Sequence, residues 1–569
     1  MPPLLPQNDP NSAIRRQFLT RQQASYRYNH AYLPPLTFAD EVPRAAAFSW
    51  RYRLNQLQAI IQIVLNLGIA KLKQLFDPFN HLDDYSKLLV GAPLLPKPAL
   101  IDTFLLDTEF ANQRLAGANP LVIERVDEPK LDSLLQRFPL TDDLFQQIVG
   151  TKETLKSAAQ AGQLYLTDYA FLDGIELGRY KKWQKFATAP LALYYWQTAV
   201  APSQGRLMPV AIQLHQQPGP GNPVFTPLDG SNWYTAKLFV QIADGNHHEL
   251  FGHLALTHLR MEPFVLATAR QLASNHPLRL LLSPHFQFTL AINHLARTIL
   301  LKPGGSVEQL LVGTRQASLS LVAQILDAVP FTDAAFPKAL KHRGVDDPKL
   351  LPNYPYRDDG YLLWEAIHQF VTDYLNLYYK TATDVVEDYE LQQWTHELIA
   401  QDGGRVNGLT ADNKLDTQEK LVELVTQIIF TCGPQHAAVN YTQYDYGAFV
   451  ANMPASGYAF PSTQNKINIK SENNSELLQL LSPFLIKFMP PPKLAIAQLA
   501  TMSFLTAFQY NRLGYYERGH FQDPEAQKLV KAFQKDLDHI EAQINQRNQQ
   551  RNPPYSFLKP SLVPNGLNL

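Results

Sequence analysis

The chain has 569 residues, of which 45% are apolar and 11% aromatic, enough for a large core. Lys and Arg number 50 against 51 Asp and Glu, a net charge of -1, so nothing electrostatic argues for nucleic acid as a partner. The single cysteine, Cys432, rules out an internal disulfide and ties the chain to no oxidising compartment.

The opening MPPLLPQNDPNSAIRRQF lacks the basic, apolar and small order of a signal peptide. Residues 1–45 read as an N-terminal extension, Pro-rich at both ends and basic in the middle. Arg15, Arg16, Arg21 and Arg27 accompany Ile14, Phe18 and Leu19, which predicts a short amphipathic helix docked on the main body. The sharper alternative is a peripheral membrane contact through residues 11–30. Residues 50–77 and 141–162 have helical periodicity. The first contains the most apolar long stretch, Leu57 to Phe76. Gln62, Asn66, Gly68, Lys71, Lys73 and Gln74 interrupt it, so it falls short of the roughly 18 continuous apolar residues of a bilayer span. The chain therefore reads as soluble and cytoplasmic, with membrane contact at most peripheral.

Alternation in LALYYWQTAV and LMPVAIQLHQ predicts a small antiparallel sheet within residues 190–230. Helical patterns then dominate, over 233–274, 286–301, 317–328, 361–379, 387–400, 416–432, 493–512 and 524–547. No internal repeat is present. The expected fold is mainly α: one large helical domain over 46–569 with a small antiparallel β-subdomain, ending in an extended tail from Pro553.

The most informative segment is HHELFGHLALTHLRMEPF, residues 247–264, where histidines sit among Leu250, Phe251, Leu254, Leu256 and Leu259. Clustered imidazoles in an apolar helix are metal ligands or hydrogen-bonded core residues. His248-Glu249-x-x-x-His253 is one residue too long for the zinc-protease pattern, whose two histidines share a helical face at i,i+4. His253 and His258 are also five apart, roughly 140° on an ordinary helix. A π-type turn realigns such a pair, so a metal role for His253 and His258 predicts one here. Further on, in GPQHAAVNYTQYDYG, His436 and Asn440 lie one turn apart and can face one ion; a core histidine and asparagine fit that spacing equally well.

HHELFGHLALTHLRMEPF, NHLARTILLKPGG, YPYRDDGYLLWEAIHQFVTDYLNLYYKT and HAAVNYTQYDYGAF together resemble the lipoxygenase family. The resemblance covers residues 160–569, and 46–160 more weakly. It implies a catalytic domain without the N-terminal PLAT-type β-sandwich. It implies one non-haem iron, with manganese the lesser alternative, held by His253, His258, His436, Asn440 and the main-chain carboxylate of Leu569. Leu569 stands where the family usually has isoleucine. Glu249 and Gln443 match positions that orient the ligands, and Ala296, Leu300 and Val307 match the substrate and oxygen channel. The implied activity is dioxygenation of polyunsaturated fatty acids by dioxygen, through hydrogen-atom abstraction at a ferric hydroxide. Two other readings stand beside it: a zinc hydrolase using His248, Glu249 and His253, and a non-catalytic lipid-binding protein on the same fold.

Overall fold

A computed structural model describes residues 3–74, 79–198, 205–461, 467–469 and 471–568, without the side chains of 73 and 74. The fold is mainly α, with its strands in small antiparallel sheets. The largest sheet has five strands in the order Glu124–Arg125, Leu164–Asp168, Leu191–Gln197, Arg206–Gln213 and Val224–Phe225. Side chains alternate between faces along a strand. Leu164, Leu166, Leu191, Leu193 and Tyr195 therefore pack on the helices Glu128–Arg137, Asp142–Val149 and Leu155–Gln160. Tyr165, Ala192, Tyr194 and Trp196 face the main core. Both faces are covered, which is why these strands read as nearly unbroken apolar runs. Pro209 sits where the register slips opposite Leu193 and Tyr194, the kind of place where a strand tolerates a residue without an N–H.

The single helix expected over 141–162 is two helices. Gly150, at φ 72°, ends the first, and the Thr154 hydroxyl accepts from the Ser157 N–H to start the second. The sheet also begins earlier than expected, with the strands at Glu124 and Leu164.

Near the N-terminus, the helix Ser12–Ser25 docks on the body through Arg15. The buried Arg15 guanidinium donates to both carboxylate oxygens of Glu390, at 2.8 and 2.9 Å, and to Asp9 at 2.8 Å. After it runs the 25-residue helix Trp50–Gln74, whose Tyr52, Ala59, Ile63 and Ala70 face inward.

The centre of the molecule is one continuous helical rod, Ser231–His247, His248–Leu259 and Arg260–Gln271, buried over most of its length. Helices Thr289–Ile299, Arg315–Ala328, Tyr389–Ile399 and His436–Asn440 pack against it. The tail from Pro553 is threaded into this core, with Leu558, Val563 and Leu567 buried. It is not a strand among the described residues; turns and side-chain bonds hold it. His285 Nδ1–H donates to the Asn565 carbonyl at 2.6 Å, and the Asn565 N–H donates to Asn511 Oδ1 at 2.8 Å. A Cβ added at Gly566 would lie 2.4 Å from the His285 carbonyl oxygen, so only glycine lets the tail pass there.

Candidate metal centre

The expected π-turn is present and longer than one turn: His248–Leu259 is π-helical throughout. At roughly 4.4 residues per turn, residues five apart are offset by only about 50°. His253 and His258 therefore face the same side. Two local features favour the wider pitch. Pro263 has no N–H for the Leu259 carbonyl, its α-helical partner. The His258 carbonyl is taken by Asn293 Nδ2–H at 2.9 Å.

A second π-helix, Thr431–Gln435, leads directly into His436–Asn440. It contains Pro434, which likewise leaves the Phe430 carbonyl without its i+4 donor. The sequence reading passed over this segment, although Gly433-Pro434 inside a helical pattern is a visible signal. The tail runs beside it: a Cβ at Gly433 would stand 3.1 Å from the Pro564 carbonyl oxygen.

These two irregular helices bring His253, His258 and His436 together, with one ring nitrogen of each within 4.8 Å of the others, all buried. Nε2 of His258 lies 3.3 Å from Nε2 of His253 and 3.1 Å from Nε2 of His436. Burial, with the neighbouring imidazoles, keeps the three rings neutral. His258 is lowered to about 3 and His436 well below its ordinary value. His253 is lowered as well, against the opposing pull of Glu249.

The tautomer of His258 is fixed from behind. Asn293 Oδ1 accepts from its Nδ1–H at 3.0 Å, which leaves a lone pair on the Nε2 facing the other two rings. Asn293 Nδ2 also donates to Glu262 Oε2 at 2.9 Å, and Glu262 Oε1 accepts from the Ala39 N–H at 2.7 Å. Sequence reasoning missed both Asn293 and Glu262. Asn293 lies 35 residues from His258 and 31 from Glu262, and an asparagine in an amphipathic pattern carries no mark of its partner.

Gln443 joins His253 to Asn440. Its Nε2 is 3.3 Å from His253 Nδ1 and 3.0 Å from Asn440 Oδ1, while Gln443 Oε1 and Asn440 Nδ2 are buried without a partner. The two ends of a carboxamide have the same shape, so this pair has a second arrangement. With both amides turned over, Gln443 Oε1 accepts from His253 Nδ1–H and from Asn440 Nδ2, and Asn440 Oδ1 takes the unpartnered position. His253 is then an Nε2 lone-pair donor like His258. Converging neutral imidazoles with an oxygen donor nearby are what a divalent transition metal takes, so the residues fit a metal ion.

Glu249 is one turn before His253. Burial would raise its carboxyl, but hydrogen bonds from His248 and His253 outweigh that and lower it to about 2. His248 itself does not join the cluster. Its Nε2–H donates to the Val439 carbonyl at 2.7 Å, and its ring centre is 6.0 Å from that of His253. The hydrolase set of His248, Glu249 and His253 is therefore not assembled around one point.

A cavity of about 890 Å³, its mouth included, runs from this cluster toward the surface. His253, His258, Asn440 and Glu249 form its polar end. Ala296, Leu300 and Val307, the expected channel residues, all lie on its wall with Leu254, Ile292 and Leu310. Ile299, 43% exposed, marks the outer end. Asn568 also lines the cavity; Leu569 lies outside the described residues.

Comparison with known proteins agrees with this architecture. The lipoxygenase family model matches residues 86–555. The chain is 35% identical to the linoleate 9/13-lipoxygenase of Pseudomonas aeruginosa, over 92% of this chain and 76% of that protein. It is 34% identical to the allene oxide synthase-lipoxygenase protein of Plexaura homomalla over 93% of this chain, and spans only 50% of that relative's length. Among solved structures, a coral 8R-lipoxygenase superposes with a TM-score of 0.87 at 32% identity, covering 100% of this chain and 83% of that one. A lipoxygenase in complex with arachidonate superposes at 0.88 and 30% identity, covering 100% and 84%. The two π-distorted helices, the histidines they carry and the match along most of the sequence agree: the chain belongs to the lipoxygenase family.

Proposed function

We propose that this chain is a non-haem iron dioxygenase that converts polyunsaturated fatty acids of the linoleate, linolenate or arachidonate type to hydroperoxides. The observation that carries this reading is three neutral imidazoles converging at the buried end of a long apolar cavity. In this reading His253, His258, His436, Asn440 and the main-chain carboxylate of Leu569 hold the metal. Iron is favoured over manganese because nitrogen and oxygen donors with an open position suit redox chemistry with dioxygen. An iron held there would supply a one-electron oxidant for removal of a hydrogen atom from a bis-allylic methylene, and would return the electron and proton that convert the peroxyl radical, formed when dioxygen adds to the carbon radical, to the hydroperoxide.

The protein's own residues do the rest. Glu249 and Gln443 hold His253 in orientation, and Asn293 holds His258. Ala296, Leu300 and Val307 shape an apolar wall that excludes water and presents one methylene to the metal. No lysine or arginine lines the cavity among the described residues, so a carboxylate would find no counter-ion inside. The acyl chain is therefore taken methyl end first, with the carboxyl left near the mouth. The names of the relatives, a linoleate lipoxygenase and an arachidonate complex, support the substrate class.

Oxygen uptake with linoleate, with conjugated-diene absorbance and metal analysis on the same sample, tests this. One iron per chain and a diene hydroperoxide are expected. Zinc without oxygen uptake would sink the proposal. Methyl linoleate should be oxygenated at a rate comparable to linoleate; if the ester is refused, the methyl-first orientation is wrong.

A further inference from the structure

The helix Trp50–Gln74 is apolar on two opposite sides. Tyr52, Ala59, Ile63 and Ala70 are buried against the body. At roughly 100° per residue, Trp50, Leu54, Leu57, Ile61, Val64 and Leu72 fall in a stripe about 80° wide pointing directly away from it. Each of these six is at least 50% exposed, and Trp50 reaches 75%. The stripe is about 33 Å long. Isolated surface leucines are ordinary, but a continuous apolar strip of this length marks an interaction face.

Charge identifies the partner. Between Glu41 and Asp77 the sequence has Arg44, Arg51, Arg53, Lys71 and Lys73 and no carboxylate side chain. Arg51 and Arg53 stand exposed at one end of the stripe and Lys71 at the other. A second copy paired by a two-fold axis would set cations against cations in either orientation, with no acid to answer them. A bilayer surface with anionic headgroups answers both features: the apolar stripe sinks into the acyl boundary and the basic ends meet the headgroups. No helix among the described residues is long and apolar enough to cross a membrane, so the contact is peripheral. The segment 11–30, the sequence's candidate for this role, commits Arg15 to Glu390 and Asp9 instead.

We propose that the outward face of Trp50–Leu72 docks the protein on anionic lipid bilayers. The same helix reaches the substrate cavity on its inner side. Tyr52 packs with Ile292 and Leu505, both on the cavity wall, and its hydroxyl donates to Asn568 Oδ1 at 2.8 Å. Docking would thus bring the bilayer against the element that braces the cavity. That link to substrate rests on the proposed fatty-acid chemistry; the lipid binding itself does not.

Vesicle flotation of the full chain tests it, with phosphatidylcholine vesicles with and without phosphatidylglycerol. The protein should float with the anionic vesicles, less so as salt is raised. Leu57→Ser/Ile61→Ser/Val64→Ser should lower partitioning at least about tenfold. Arg51→Gln/Arg53→Gln/Lys71→Gln should remove the preference for anionic over neutral vesicles. All six positions are exposed, so both variants should keep the wild-type unfolding midpoint and unchanged oxygen uptake on dispersed linoleate. A monomer that floats with neither vesicle overturns the proposal. So does a dimer that the serine variant dissociates, which would assign the face to a second copy. Loss of oxygen uptake in the wild type would instead refute the proposed activity and leave the flotation result standing.

Discussion

Two long helices use apolar residues in opposite ways. The rod through His248–Leu259 is buried on nearly every side and gives up regular α geometry along twelve residues. The helix Trp50–Gln74 keeps regular α geometry and leaves most of its large apolar side chains in solvent. Packing around the first holds an irregular backbone that converges His253 and His258; none of the described residues covers the outer face of the second. An abnormal helix in a well-packed setting points to chemistry at that helix. A normal helix with an uncovered apolar face points to a partner outside the chain.

The contrast can be broken most severely at the rod. His258→Ala should remove metal binding and lower oxygen uptake by at least about a thousandfold, read by metal stoichiometry and initial rate. The folded rod should survive, since a neutral imidazole is lost and not a core anchor. Next in size is the pair Ile63 and Ile61, two residues apart on opposite faces of the second helix. Ile63, 7% exposed, should cost about 2–5 kcal/mol on replacement by Ala. Ile61→Ala, at 50% exposure, should stay within about 0.5 kcal/mol. Equal losses in urea denaturation would show that the outer stripe is covered after all.

Asn293→Ala removes the acceptor behind His258 and should weaken metal affinity about 10–100-fold, measured by competition with a chelator. A variant that binds as well as wild type would leave Asn293 a structural role only. Acid offers a gentler probe. Burial lowers His247, at the start of the π-stretch, to about 3 and His285, which holds the tail, to about 4. Both lie below the ordinary value of 6.5. The unfolded chain therefore takes up protons first as pH falls. The stability these groups contribute is present above pH 6.5 and lost on the way down toward pH 4 and 3. Between pH 7 and pH 5 the loss should be about 2 kcal/mol for the fully buried His285 and smaller for the half-buried His247. Denaturation of chelator-treated protein reads it without metal release. A flat profile over that range would mean these rings are solvated.

The difference between the helices also shows what was legible in the sequence. The awkward five-residue spacing of His253 and His258 carried its own structural answer, because only a wider pitch puts both on one side. The lipoxygenase motifs then supplied His436 and Asn440. The partners behind them were not legible. Asn293 meets His258 and Glu262 only after helix Thr289–Ile299 packs on the rod that carries both, and no local pattern encodes that crossing. The outer stripe of Trp50–Gln74 was hidden for a different reason. Its hydropathy is that of a core helix, and a sequence records how apolar a side chain is but not whether anything lies over it. The strand Leu164–Asp168 was obscured by the helical pattern running up to it.

The chain of contacts from His258 through Asn293 and Glu262 to the Ala39 N–H has a practical consequence for anyone who would shorten this protein. A fragment cut to the family-matched stretch, 86–555, would look complete by alignment. It would lose the donor that holds Glu262 on one side and Asn568, on the cavity wall, on the other. The smallest working piece of this protein is therefore set by what stands behind its ligands, and it begins well before the region that alignment recognises.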